Sequence, residues 1–168
     1  MKEQGFSADQ FRKACGRFPT GIAIATVMED EQTASGLTIN SFTSVSLEPP
    51  LVLFCLHSQS QLTPCFQRSE FFGINVLAAG QSELSARYAT RHSHRIHASE
   101  WQAGRIGVPV LAGSLAVLEC KLRNTMPGGD HEIFVGEVLA VSVGDGAPLV
   151  RYGGSYCLLQ KETSASAV

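Results

Sequence analysis

Long hydrophobic runs are missing from this chain: its unbroken apolar stretches, such as Leu51 to Leu56, fall far short of the roughly 20 residues that cross a bilayer as a helix. An excess of either charge sign is missing too, with 13 Lys and Arg against 15 Asp and Glu and a net charge of -2. The basic residues fall in ones and twos, so the basic stripe that nucleic acids or anionic membranes require is absent, and neither is expected as a partner. The five cysteines include no C-x-x-C pair, which argues against a zinc knuckle or a dithiol couple and for reduced core residues. No G-x-G-x-x-G or G-x-x-x-x-G-K-S segment occurs, which excludes a Rossmann domain and a P-loop. The start carries Glu3, Ser7 and Asp9 where a signal peptide needs a basic end and an apolar middle, so a cytoplasmic location is expected.

What is present suits one globular domain: 168 residues, 44% hydrophobic, with 16 Gly and 7 Pro, enough to bury a core. The reading is a single domain over 1–168, with its core at about 8–160 and a tail at 161–168. Ser7 and Gln10 form a capping box, Phe6 is placed to staple Phe11, and Pro19 ends the helix so started. β-branched and apolar runs then predict strands at Ile22 to Met28, Ala34 to Asn40, Leu51 to Leu56 and Phe71 to Leu77. Short helices are expected from Thr63, read as an N-cap before Pro64, and over Ser82 to Ala89. Thr90 to Gly107 is a polar, irregular connection. Leu118, Cys120 and Leu122 alternate with Glu119, Lys121 and Arg123, the period of a strand with one wet face. Pro127 to Asp130 turns the chain into a return strand at Ile133 to Val143, and two short strands follow at Pro148 to Tyr152 and Ser155 to Leu159. Short strands at close spacing predict a mainly β fold, a closed or partly closed antiparallel barrel with a few short peripheral helices.

Several clusters could carry chemistry. Ser35 to Ser46 interleaves hydroxyl and amide side chains with apolar ones, as the edge of a planar heterocycle would require, or as an ordinary polar strand end would. His57 to Thr63 joins polar side chains to a helix start, a seat for phosphate or plain capping. His92, His94 and His97 could gather a metal but lack partner cysteines and the Glu of H-E-x-x-H, so no metal site is expected. Arg87, Arg91 and Arg95 suit phosphate, or form a solvated basic face. His131, after Gly128-Gly129-Asp130, stands where glycines let a ligand approach the backbone, or is a surface histidine on a turn.

Taken together, Phe18-Pro19-Thr20-Gly21, the stretch from Gly36 to Leu51, Phe72-Gly73-Ile74-Asn75-Val76-Leu77 and the segment from Gly129 to Val138 resemble the short-chain flavin reductases of two-component flavin-dependent monooxygenases. The resemblance runs from Phe11 to Leu159. It implies a six-stranded antiparallel split β-barrel, of the Greek-key FMN-binding type, that forms a homodimer. It implies reduction of FAD or FMN by NADH, or by NADPH, and delivery of the reduced flavin to a separate monooxygenase acting on an aromatic compound. By position, Thr38, Asn40, Ser41 and Ser44 would line the isoalloxazine, while Cys55, Ser58 and Ser60 would follow the ribityl and phosphate path. Arg91 would meet phosphate, and Gly129, Asp130 and His131 would lie against the nicotinamide, with His131 as the catalytic candidate. His57, where the family pattern suggests Asn or a small polar residue, and the histidines after Arg91 depart from it. Such a site has to stack two planar rings at about 3 to 3.5 Å and needs few acids or bases, because the cofactors supply the reactivity. A flavin-holding sensor without turnover shares the same barrel. So does a pyridoxamine phosphate oxidase, which would need more basic residues at its phosphate.

Overall fold

The computed structural model describes residues 5–90 and 93–159; the expected tail at 161–168 lies outside them. The first helix, α1 (Ala8–Cys15), starts as the sequence predicts: Gln10 N–H donates to Ser7 Oγ, the Ser7 N–H donates to Gln10 Oε1 at 2.7 Å, and the Phe6 and Phe11 rings stack at 6.1 Å. Its apolar side is not buried within the chain, and Phe11 stays 58% exposed. Next come β1 (Thr20–Gly21), β2 (Ala23–Met28), β3 (Ala34–Ile39), β4 (Thr43–Leu47) and β5 (Pro50–His57). They are followed by α2 (Thr63–Arg68), β6 (Phe71–Val76), a single 3-10 turn and α3 (Ser82–Tyr88). The last third holds β7 (Trp101–Ala103), β8 (Pro109–Leu111), the long hairpin β9 (Ala116–Gly128) and β10 (His131–Val143), then β11 (Val150–Tyr152) and β12 (Ser155–Cys157).

Seven of these strands form the main sheet in the order β3-β2-β6-β9-β10-β5-β4, antiparallel throughout. The expected mainly β class with short peripheral helices is observed; the expected count of six is corrected to seven, and the sheet is not a closed barrel. The extra strand is β4, whose hydroxyl-rich, exposed sequence hides a strand that pairs only with β5, Thr43 opposite Leu53 and Leu47 opposite Pro50. The two short C-terminal strands leave the main sheet and pair with β1 in a small sheet of their own.

The curl of the main sheet follows from its apolar face. Val52, Phe54 and Leu56 of β5, Ile39 of β3, Phe72 and Ile74 of β6, and Phe134 of β10 share one core. Phe54 is its centre, with Phe66, Phe72 and Phe134 ring centroids 5.4, 5.2 and 5.1 Å away. Gly136 of β10 makes room for the Phe72 ring, which a β-carbon there would strike, and shifts of register beside it bend the hairpin; such irregularities raise local twist.

A second core, built on Ile22, Ile24, Leu77, Tyr88 and Ile96, lies under the connection that the sequence leaves irregular. That connection contains β7, which pairs with β8 just beyond it. Asn75, fully buried, accepts from Leu111 N–H at 2.9 Å and donates to Thr26 Oγ1, which itself donates to Pro109 O at 2.6 Å. Glu119 corrects the expected wet face of β9: it is only 6% exposed and accepts from Arg105 and Ile106 N–H at 3.0 and 2.9 Å. A buried carboxylate persists when it is supplied with donors, and here the 104–107 loop supplies them. Cys120 is buried and its thiol is pushed up to about 12 by burial and by Glu119; the other four cysteines are unpaired as expected, but the core placement is corrected, since Cys15 is exposed and Cys55, Cys65 and Cys157 are half-buried.

Replacing Asn75 by Leu keeps the number of side-chain heavy atoms but strands the Leu111 N–H, while the Thr26 hydroxyl keeps its bond to Pro109 O. The expected loss is about 2 kcal/mol, read as a fall in Tm of roughly 4–8 °C; an unchanged Tm would show that the hairpin is held by apolar packing alone.

Candidate functional site

The outer strands β3 and β4 are not joined by a ladder. The chain between them crosses the opening, and there Ser41 Oγ accepts from Cys55 N–H at 2.9 Å and donates to Cys55 O at 3.2 Å. A cavity of about 470 Å³ lies beside this seam, within the range of small-molecule sites. Leu37 and Thr38 of β3 form one side, and His57 at the end of β5 with Gln59, Ser60 and Gln61 forms another. Tyr88, Ala89 and Thr90 at the end of α3, together with His94, complete it.

Each wall is fixed by bonds that point away from the cavity. Thr38 Oγ1 donates to Ser85 O at 2.7 Å, tying β3 to α3. The Tyr88 hydroxyl donates to Glu100 at 3.1 Å, and Arg87 pairs with the same carboxylate at 2.5 Å. Burial works against the charged Glu100, yet Arg87 and Tyr88 hold its carboxyl below the usual range. The polar wall is a tight turn: His57 O accepts from Ser60 N–H at 2.8 Å and from the Thr63 hydroxyl at 2.9 Å. Thr63 is therefore inside α2 and bonds backwards, and the expected N-cap role is corrected: Leu62 occupies that position and supplies no side-chain cap. His57 Nδ1 accepts from Gln59 N–H at 3.1 Å.

The expected site residues separate into groups. Thr38 and Ser60 border the cavity. Ser41 and Cys55 hold the seam, and burial pushes the Cys55 thiol up. Asn40 is exposed, its amide donating to Thr20 Oγ1 at 3.4 Å, and Ser44 is exposed on the edge strand β4. Ser58 is exposed, with its N–H bonded to Asp130 O at 2.9 Å. Arg91 lies outside the described residues, as does His92. At the hairpin tip Gly129 takes φ +73°, a conformation that favours glycine, and Asp130 Oδ1 meets His131 Nδ1 at 2.7 Å. The His131 contact holds the Asp130 carboxyl below its ordinary value. His131 stands opposite His57 in the β5–β10 register, their rings edge to face at 5.3 Å.

Arg87 is taken by Glu100 and does not reach the cavity wall as a free phosphate ligand; Arg95 borders a second cavity of about 400 Å³ with Glu29 and Ser93. His97 Nδ1 pairs with Ser99 Oγ at 2.8 Å, and among the described residues no group of three metal-ligating side chains occurs. Buried His94 Nδ1 has no hydrogen-bond partner among the described residues. Gln59 and Gln61 fall within the His57 to Thr63 cluster that the sequence marks as a phosphate seat or plain capping, whereas sequence reasoning missed Tyr88 as a wall residue. For Tyr88 a signal existed, since a tyrosine on an otherwise apolar helix face needs a partner for its hydroxyl.

Burial, and then the bond to Glu100, push the Tyr88 phenol up to about 12. The folded chain binds that proton more tightly than the unfolded one, so the linked stability is fully present below about pH 10 and is lost as pH rises through 12. A difference titration at 295 nm between the natural chain and Tyr88→Phe is expected to place the Tyr88 step near pH 12; a step near 10 would mean that the α3 wall is open to water.

Comparison with known proteins falls on this same frame. Residues 15–160 match the family model described as "Flavin reductase like domain". The FMN reductase (NADH) SmoA of Agrobacterium fabrum is 42% identical over 152 residues, covering 90% of this chain and 86% of its own. HsaB of Rhodococcus jostii, the reductase subunit of a flavin-dependent monooxygenase, is 36% identical over 94% of this chain and 81% of its own. Among solved structures, the NADH:FAD oxidoreductase SgcE6 of Streptomyces globisporus, in complex with NAD and FAD fragments, superposes with a TM-score of 0.86 at 34% identity, covering 93% of this chain and 94% of that one. The chain therefore belongs to the flavin reductase like domain family.

Proposed function

We propose that the chain is an NADH-dependent flavin reductase that reduces FAD or FMN and passes the reduced flavin to a separate monooxygenase component. The observation that carries this is the meeting of two features at His57: its ring borders the cavity on one side and packs against His131 of the glycine hairpin on the other. Two ligands bound there, one in the cavity and one at the hairpin tip, would lie side by side.

The residues fit a flavin. Leu37 and Ala89 offer apolar surface to a planar ring, while His57, Gln59, Ser60 and Gln61 offer donors, and His94 Nδ1 is a buried polar atom lacking a partner among the described residues. When bound, flavin accepts a hydride at N5 from nicotinamide C4. The chain's part is then orientation and exclusion of water. In this reading Thr38 and Ser60 touch the flavin, Asn40, Ser41 and Ser44 form the lip of the seam along its ring, and Cys55 and Ser58 follow its polar tail. Gly129 lets the nicotinamide approach the backbone, Asp130 fixes the ring nitrogen of His131, and His131 lies against the nicotinamide. The phosphate role expected for Arg91 belongs to the same proposal.

A homodimer is part of the reading. Phe11, Phe18, Leu47, Val141 and Val143 are exposed apolar side chains, and a second copy would cover such surface. No helix among the described residues is long and apolar enough to cross a membrane; we place the protein in the cytoplasm, where NADH is found, as one domain with its core at about 8–160. An aromatic-compound hydroxylase is the first oxygenase to test as the partner.

Anaerobic stopped-flow mixing with excess FMN or FAD and then NADH is expected to bleach many equivalents of flavin per chain. Flavin that binds and stays oxidised would overturn the reading. His131→Ala is expected to lower this turnover between about tenfold and a hundredfold with flavin affinity within about twofold; unchanged turnover would remove His131 from the mechanism.

A further inference from the structure

Two stretches of chain that border the cavity are joined by one carboxylate that does not line it. Tyr88, Ala89 and Thr90 come from the end of α3, whereas His94 belongs to a stretch laid along the outer edge of β3. There His94 O accepts from Gly36 N–H at 2.8 Å, Ile96 N–H donates to Ala34 O at 2.9 Å, and Arg95 bridges to Ser35. The stretch then turns back, with Glu100 N–H donating to His97 O at 2.9 Å. From that turn the Glu100 carboxylate reaches α3, where it accepts from the Tyr88 hydroxyl at 3.1 Å and pairs with Arg87 at 2.5 Å. The Arg87 guanidinium in turn lies over the Tyr88 ring, 4.8 Å from its centroid.

The carboxylate is delivered from a frame that does not depend on α3. Ala112 N–H donates to Glu100 O at 3.3 Å, and the next residue, Trp101, opens β7 opposite Leu111, whose N–H is held by buried Asn75. The helix needs such an anchor: α3 has seven residues, too few to be stable alone. Apolar packing in the second core sets the depth of the Tyr88 ring, but packing is non-directional, whereas the bond from its hydroxyl fixes which way the ring faces. We propose that Glu100 is a positioning residue of the flavin site: by holding Arg87 and the Tyr88 hydroxyl it sets the wall of Tyr88, Ala89 and Thr90 against the wall at His94. The proposal rests on the flavin-reductase reading.

The dissociation constant of oxidised FMN is measured by flavin fluorescence, without NADH, for the natural chain, Glu100→Gln and Glu100→Ala, and flavin KM and kcat are measured with NADH on the same chains. Gln keeps an acceptor for the Tyr88 hydroxyl and loses the ion pair; Ala loses both. The expected result is about a tenfold rise in the FMN constant for Glu100→Ala, the scale of one hydrogen bond to a charged group, with Glu100→Gln in between. Flavin KM rises in the same order, while kcat at saturating FMN stays within about twofold. A residue serving stability alone would do the opposite, lowering kcat per chain through a smaller folded fraction and leaving KM as it was; that pattern, or an unchanged FMN constant, overturns the proposal. The 295 nm titration gives a reading without flavin: the Tyr88 step, near pH 12 in the natural chain, is expected to fall in Glu100→Gln, and a step that does not move overturns the proposal. Should Glu100→Ala fail to fold, Glu100→Gln and Arg87→Met decide it: each raises the FMN constant, the two together raise it no further than the larger single effect, and independent, multiplying effects overturn it. A natural chain that binds FMN without reducing it, with the variants in the expected order, refutes the reductase reading and leaves the positioning role intact; normal turnover with equal FMN constants in all three chains does the reverse.

Discussion

A serine hydroxyl occupies the place where the curled sheet fails to close. Seven antiparallel strands wrap the Phe54 cluster, but β3 and β4 share no ladder, and an open sheet edge leaves backbone N–H and C=O groups without partners. Ser41 answers for one residue of that edge by bonding both backbone groups of Cys55. Its hydroxyl is short enough to bring the crossing segment close to β5 and no bulkier than the gap. The cavity lies between Leu37 and Thr38 of β3 and the end of β5 at His57 with Gln59 to Gln61.

An opening of this kind has to be walled from outside the sheet, and the walls depend on buried polar groups. Asn75 and Thr26 dock the β7–β8 hairpin, and Glu119 gathers the loop before β8. Those attachments cover the second core, on which α3 lies, and α3 supplies Tyr88 with its Glu100 and Arg87 partners. Each link exchanges a desolvation penalty for hydrogen bonds of good geometry, so the chain gains position more than stability from them. The far wall of the cavity is therefore set by groups well removed from it.

Much of the fold was legible because local signals agreed with the tertiary outcome. The Ser7–Gln10 box, the β-branched run of β2, the buried strand β5 and the glycine turn before His131 all form as their residue types dictate. Other elements were hidden for definable reasons. β4 is an edge strand whose partner is one-sided and whose faces are wet, so its hydroxyls carry no alternation. β7 and β8 are three-residue strands stabilised by Asn75, a residue far away in sequence. Glu119 obeys the alternation that marks a solvent face, yet a loop arriving from 104–107 covers it, and nothing within β9 announces that loop. In the site, Thr38 and Ser60 could be read from the pattern of hydroxyls, and the family resemblance placed the hairpin. Gln59 and Gln61 lay in the polar cluster before α2, but that Tyr88 joins them around one cavity could not be read, because it arises from the meeting of two segments nearly thirty residues apart.

The scarcity of acids and bases around the cavity agrees with the chemistry proposed for it. Where the ligands carry their own reactivity, a charged side chain near the reacting atoms would add desolvation cost and little else. The ionisable pair at the hairpin, Asp130 and His131, stands on the tip of a two-stranded turn, partly in water, with its carboxyl bonded to the imidazole. The His131 ring packs edge to face on that of His57, whose Nδ1 accepts from the Gln59 N–H. Binding order then follows from the shape. A ligand in the cavity is enclosed by β3, α3 and the 57–61 turn, whereas one at the hairpin tip meets an exposed turn and can leave freely. Under the proposed function the reduced flavin has to leave the cavity as well, so neither ligand is held permanently.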